Sequence, residues 1–294
     1  MKNILLIINP TAGKMKSKTA LFDMVNTFCK NGYSVNVSVT QYPAHGRKIA
    51  KENADKHDIL VCCGGDGSLN DVINGIIDSG CNVPLGYIPA GSTNDFAAAT
   101  GLSSNPQEAA ENICKGSPRS IDIGNFEGRY FSYIASFGAF TATSYQTPQS
   151  TKNALGHFAY VIEGIKDIGS IKPYNVKITA DGNVFEGNYI FGAITNTTSI
   201  GGLLKLDSSL VFMDDGLFEV LLVKFPTTPI ELHQIVYGLT YSDFENNSSF
   251  EFFKASAITL ECSECFDWTL DGEHQSGKNK VEIFNVNNGI QLIK

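Results

Sequence analysis

The chain has 294 residues, of which 43% are hydrophobic and 18% charged, and its formal net charge is −8. That length can bury a sizeable core in one large domain or two smaller ones. The acidic balance argues against wholesale nucleic-acid binding, and no apolar run reaches the ~20 residues that a membrane-spanning helix needs.

The opening MKNILLIINPTAG is apolar only over residues 4 to 8. A secretory leader needs about 7–15 apolar residues, so this segment reads as a first strand and the chain as cytoplasmic. Seven scattered cysteines fit a reducing compartment better than a disulfide framework. Cys262 and Cys265 form one CxxC, weak as a zinc site without a second pair or nearby histidines.

From Asn9-Pro10, which ends that strand, the chain alternates. KTALFDMVNTFCKNG spaces Leu21, Met24, Val25 and Phe28 as a helix and stops at Gly32. YSVNVSVT reads as a strand, GRKIAKENADK as a short helix, DILVCC as a strand and LNDVINGIID as a helix. VPLGYIP is the next strand and NPQEAAENICKG the next helix. This alternation predicts βαβ units and a mainly parallel sheet covered by helices on both faces.

Near residue 120 the texture changes. Two β-rich runs meet at a turn around Glu127-Gly128, and a helical stretch follows over Asn153 to Ile168. The remainder reads mostly as strands: YNVKITADG, VFEGNYIFGAITN, LFEVLLVKF, AITLEC, FDWTLDGE, KVEIFNV and GIQLIK. The expected fold class is α/β plus β: an α/β nucleotide-binding domain over 1–122, to which the last strand (285–294) can return, and an antiparallel β domain over 123–284.

Three loops follow the apolar strands: NPTAG at 9 to 13, GGDGS at 64 to 68 and PAGSTND at 89 to 95. In open α/β sheets ligands bind beyond the carboxyl ends of the strands. Glycines there permit positive φ and close backbone approach to a ligand, and a helix starting just afterwards favours phosphate. Asp66 repels phosphate by itself. It makes sense as a holder of Mg²⁺, which keeps one or two carboxylates beside nucleotide phosphates; a tight turn with an aspartate cap is the simpler alternative. Neither GxxxxGK[ST] nor a GxGxxG opening a helix is present, so the usual nucleotide motifs are excluded.

With Asn70 after GGDGS, and PAGSTNDFA, these loops resemble the nucleotide motifs of the diacylglycerol kinase catalytic domain superfamily, which includes sphingosine and ceramide kinases and bacterial soluble lipid kinases. The resemblance continues through YFSYIASFGAF, NALGHFAYVIEGIKDI, ITNTTSIGG, MDDGLFEVLLV and WTLDGE. It implies an α/β domain plus a β-sandwich, with MgATP and the active site in the cleft between them. It places Asn9, Thr11, Gly13, Thr40, Gly64, Gly65, Asp66, Gly67, Ser68, Asn70 and Ser92 at the nucleotide. It makes Glu273 the general base, with Asp271 as its companion carboxylate. It also puts a structural Mg²⁺ at Asp215 and the backbone carbonyls of Phe212 and Leu217.

Some positions depart from the family pattern. Ser68 and Ser92 stand for threonines and keep the hydroxyl, Ala98 stands for a frequent arginine, and SSLVF replaces a Pro-x-Ala texture. The implied reaction is transfer of the ATP γ-phosphate to a lipid hydroxyl, on diacylglycerol or a related lipid alcohol. The lipid lives in a bilayer, so peripheral and reversible membrane association follows, with Lys14, Lys16 and Lys18 of KMKSK as a local basic cluster. A homodimer rests on the resemblance alone. Two other readings stay open: an NAD kinase-like phosphotransferase, which also uses a GGDG loop, and a non-catalytic lipid-binding protein of the same fold.

Overall fold

A computed structural model describes residues 1–12, 16–138, 171–200, 204–205 and 211–294. The helix expected over Asn153 to Ile168 lies outside the described residues. The chain divides into two compact units, Met1–Ile123 with Asn287–Lys294, and Gly124–Val286.

The first unit alternates strand and helix: β1 (Lys2–Ile8), α1 (Lys16–Lys30), β2 (Tyr33–Val39), α2 (His45–Asn53), β3 (Ile59–Gly64), α3 (Asp66–Ser79), β4 (Pro84–Pro89), α4 (Asp95–Thr100) and α5 (Pro106–Lys115). β1 pairs in parallel with β2 and β3, and β3 with β4. Four carboxyl ends therefore share one edge. Backbone bonds hold them level: Asn9 N to Cys63 O at 3.0 Å, Thr40 N to Ile8 O at 2.9 Å and Ala90 N to Gly64 O at 2.7 Å. β1 and β3 are continuous apolar runs because both faces are covered. One face packs Ile4, Leu6, Val61 and Cys63 against Met24, Phe28, Ala110 and Ile113.

α2 and α3 touch at backbone distance. A Cβ on Gly75 would sit 2.3 Å from the Arg47 carbonyl oxygen, so only glycine allows this approach. Arg47 then reaches Asp78 with two hydrogen bonds, at 2.7 and 3.0 Å.

The second unit is antiparallel, beginning in β5 (Pro118–Phe126) and continuing with β6 (Arg129–Phe131), β7 (Ile134–Gly138), β8 (Tyr174–Ala180), β9 (Asn183–Thr195), β10 (Ser199–Ile200), β11 (Leu204–Lys205) and β12 (Phe218–Lys224). After α6 (Pro229–Tyr241) come β13 (Phe250–Ala255), β14 (Ala257–Cys262), β15 (Trp268–Leu270), β16 (Glu273–Gln275) and β17 (Lys280–Ile293). The long β9 changes partners along its length. Its first half pairs with β8, and its second half lies between β7 and β12. Gly192 permits this crowding, since a Cβ there would meet the Phe137 ring at 2.2 Å. Phe126, Phe137 and Trp268 form the aromatic centre of the core, with ring centroids 5.0 Å from Trp268 in both pairs.

Three hairpins share one turn chemistry. Glu127-Gly128, Asp181-Gly182 and Asp271-Gly272 all have both residues at positive φ, the primed geometry whose twist matches two-residue hairpins. The expected turn at Glu127-Gly128 is found. Two readings are corrected. KVEIFNV and GIQLIK form a single strand, β17, and residues 229–241 form a helix where the sequence reading placed none. That helix is set by a capping box between Thr228 and Glu231, with Pro229 in its first turn.

The Arg47 guanidinium holds the Asp78 carboxyl below its ordinary range. A lowered carboxyl contributes stability above its unfolded value of 3.8 and loses it as pH falls through the folded value. Asp78→Asn should therefore lower the urea midpoint at neutral pH, with the gap to wild type closing in acid below pH 3.8.

Candidate active site

The shared edge of the first unit gathers the expected nucleotide residues. Asn9, just past β1, donates from Nδ2 to Ser68 Oγ at 2.8 Å. Its Oδ1 accepts from the Thr11 backbone N–H at 3.0 Å and from the Thr11 hydroxyl at 2.8 Å. One amide side chain thus joins NPTAG to GGDGS. A cavity of about 400 Å³ opens here, lined by Asn9, Thr11, Thr40 and Ser68 together with Gln41, Tyr42, Gly46 and Asp71. α3 begins beside it without a side-chain cap on its N-terminus, which leaves N–H donors for an anion.

The glycines act differently from the expectation of positive φ. Gly64, Gly65 and Gly67 do not adopt it. Gly64 and Gly65 are small because space is short: a Cβ on Gly64 would meet Ser68 Cβ of its own loop at 2.5 Å, and a Cβ on Gly91 of the third loop would meet Gly65 Cα at 2.5 Å. The second and third loops are packed backbone to backbone.

Asp66 fastens that contact. Its Oδ2 accepts from the Thr93 hydroxyl and the Asp95 N–H, both at 3.2 Å, and its Oδ1 from the Phe96 N–H at 3.3 Å. The carboxylate therefore sits at the N-terminus of α4, where the peptide dipoles favour negative charge. Burial pushes its carboxyl up, and these hydrogen bonds pull against that. Asn94 closes its own loop by accepting from Gly91 N at 2.8 Å. Ser92 stays exposed at the loop tip.

Asn70 is buried and accepts at Oδ1 from Asn74 Nδ2 at 3.0 Å, so it turns into α3 and does not line the cavity. Asp71 and Tyr42 line it and were not foreseen. Asp71 lies three residues after Ser68, on the same helical face. Tyr42 stacks on His45 with centroids 4.3 Å apart at 13°. Gly13 lies outside the described residues.

In the second unit, LDGE is the β15–β16 hairpin. Asp271 and Gly272 make the turn, and Glu273, paired with Leu270, opens β16 with its carboxylate exposed. Asp271 is the opposite case, buried and saturated. It accepts from Ser132 N at 2.6 Å, Ser132 Oγ at 2.8 Å, Tyr133 N at 3.0 Å and Ile134 N at 3.1 Å. Burial pushes its carboxyl up, and the four donors counter this by favouring the ionised form. Asp271 ties the turn to the start of β7 and leaves Glu273 as the accessible carboxylate.

At the third expected site, Asp215 Oδ1 accepts from Leu217 N at 3.0 Å and Oδ2 lies 3.2 Å from Lys254 Nζ. Phe212 is exposed, with its ring 5.5 Å from the same ammonium. Lys254 also meets Glu219 at 3.1 Å, a fully buried carboxylate absent from the sequence reading. Burial pushes the Glu219 carboxyl up to about 7, against the pull of Lys254.

Comparison with known proteins follows the same division. Residues 3–126 match the family described as diacylglycerol kinase catalytic domain. Residues 135–286 match the YegS C-terminal NAD kinase beta sandwich-like domain. A diacylglycerol kinase of Bacillus subtilis (strain 168) is 33% identical, over 100% of this chain and 96% of that protein. One from Staphylococcus aureus (strain MRSA252) is 32% identical, over 99% and 92%. A crystal structure from Bacillus anthracis str. Sterne superposes with a TM-score of 0.84 at 25% identity, covering 99% of this chain and 95% of that one. The expected architecture, an N-terminal α/β domain and a C-terminal β-sandwich-like domain, is therefore the observed one.

Two substitutions test this geometry by urea unfolding followed through Trp268, the single tryptophan. Asp271→Asn turns an acceptor into a donor facing N–H groups and should cost about 2–3 kcal/mol. Gly91→Ala should cost about 1–3 kcal/mol by forcing the two loops apart.

Proposed function

Since the chain belongs to the diacylglycerol kinase family and is a kinase, we propose that it moves the γ-phosphate of MgATP to the hydroxyl of diacylglycerol or a related lipid alcohol. The observation that carries this reading is the cavity at the carboxyl ends of β1, β2 and β3, where Asn9, Thr11, Thr40 and Ser68 meet beside the uncapped N-terminus of α3. Hydroxyl and amide donors with free helix N–H groups suit a polyphosphate.

Phosphoryl transfer needs positioning and charge stabilisation more than covalent help. Asn9, Thr11 and Ser68 bind the phosphates, and the Gly65–Gly91 contact with the Asp66 bonds keeps the loop that presents them in place. Asp66 is the carboxylate that would hold Mg²⁺ beside the phosphates through water, since its own oxygens already accept from Thr93, Asp95 and Phe96. The bound ion would offset phosphate charge. Glu273 takes the proton from the acceptor hydroxyl, as its exposed carboxylate permits. Asp271 is a positioning residue that fixes the turn carrying Glu273.

The lipid resides in a membrane, and no helix among the described residues is long and apolar enough to cross one. Surface binding is then reversible, with Lys14, Lys16 and Lys18 as the basic cluster that draws the protein to anionic lipid. Unchanged vesicle binding after charge reversal of these lysines would count against that assignment. The name of the second matched domain makes NAD the acceptor to test beside the lipids.

The test measures ATP- and Mg²⁺-dependent phosphate incorporation into diacylglycerol, sphingosine, ceramide and other lipid alcohols in mixed micelles, with NAD in parallel. Wild type should label a lipid, and Glu273→Gln should reduce kcat by about 10²–10⁴-fold with KM for ATP little changed. Labelled NAD in place of lipid refutes the substrate class. Full turnover by the variant removes Glu273 from the role of base.

A further inference from the structure

The loop over residues 211–217 and the β12–β13 pair bring three charged side chains together. Lys254 Nζ lies 3.2 Å from Asp215 Oδ2 and 3.1 Å from Glu219 Oε1. Glu219 and Lys254 face each other in antiparallel register, so the sheet itself builds the contact. Glu219 is wholly buried, and among the described residues its salt-bridge partner is that ammonium. A carboxylate so placed needs a cation, since an unpaired buried charge is strongly unfavourable.

We propose that the Lys254 ammonium is the resident cation of this loop, tying Asp215 to Glu219 where the resemblance puts a structural divalent metal. The donor chemistry carries the argument. Mg²⁺ demands a near-ideal octahedron of oxygen ligands. Here Asp215 Oδ1 already accepts from Leu217 N, and Oδ2 faces the ammonium. Among the described residues no group of three His, Cys, Asp or Glu side chains stands here, so an ion would rest on Asp215, backbone carbonyls and water. A divalent cation at Asp215 would also meet the like charge of Lys254 a few ångströms away. The residues present do not fit Mg²⁺, and no step of the reaction passes through a metal at this place. Phe212 covers the ammonium with its ring face at 5.5 Å, which suits a lysine.

The claim is independent of the lipid substrate, and its test is read from stability. The full chain, free of nucleotide, is unfolded by heat at pH 8 in EDTA and in about 10 mM Mg²⁺, followed by Trp268 fluorescence. Wild-type Tm should move by less than about 1 °C between the two conditions. Lys254→Met leaves two facing carboxylates without a cation. Its Tm should fall in EDTA and recover by about 3–6 °C in Mg²⁺, and the recovery should disappear in the double variant K254M/D215N. Lys254→Arg should keep the wild-type indifference to Mg²⁺, which covers the case of a methionine variant that does not fold. A wild type stabilised by several degrees in Mg²⁺, with the gain lost in Asp215→Asn, overturns the proposal. So does a Lys254→Met protein as stable in EDTA as wild type.

Discussion

The carboxyl edge of the first unit's sheet depends on a carboxylate satisfied by peptide groups. Asp66 leaves the first residue of α3 and accepts from the N-terminus of α4 and from Thr93. Without that clamp the Gly65–Gly91 contact would rest on the neighbouring Ala90–Gly64 backbone bond and van der Waals attraction, and the loop carrying Ser68 would lose part of its frame. The bond is charge-assisted and lies in a region where burial raises the cost of leaving the anion alone, so making it and breaking it are far apart in energy. The position of Ser68 relative to Asn9 and Thr11 inherits this rigidity.

The second unit uses the same physics at another place. Asp271 collects three consecutive backbone N–H groups and one hydroxyl, and so converts a hairpin turn into a fixed platform. Asp271 is buried among four donors, whereas Glu273 two residues later is exposed. The contrast between the two carboxylates of LDGE thus comes from burial and donor count rather than from residue type.

Much of this was legible because the signals are local. The βαβ alternation, the three glycine-bearing loops and the Glu127-Gly128 turn each write their geometry into a few neighbouring residues. What escaped was set by tertiary partners. Asn287-Asn288-Gly289 reads as a turn, yet β17 runs through it, because Asn288 takes a positive φ while its N–H is held by the buried Asp122 at 2.8 Å. α6 is apolar on more than one face, with Ile230, Tyr237 and Tyr241 exposed opposite the buried Ile235 and Leu239, and this blurs its period. Thr228, Pro229 and Glu231 were the usable marks of its start. Asn70, which the resemblance places at the nucleotide, bonds with Asn74 inside α3, while Asp71 lines the cavity. Lys254 and Glu219, 35 residues apart along the chain, meet only because β12 and β13 pair in that register.

β17 also imposes an order on folding. Its Gln291 and Leu292 pair in parallel with Pro84 and Leu85 of β4, although about 160 residues of the second unit are made between Ile123 and Asn287. Until that stretch has emerged, the inner edge of β4 has no partner, and β4 is apolar along nearly its whole length. An unpaired strand of that kind invites pairing with another chain, and long-range parallel closure is slow. A ribosome-bound first unit is therefore an adhesive intermediate, and the second unit, inserted between two parts of one sheet, decides when that sheet is sealed.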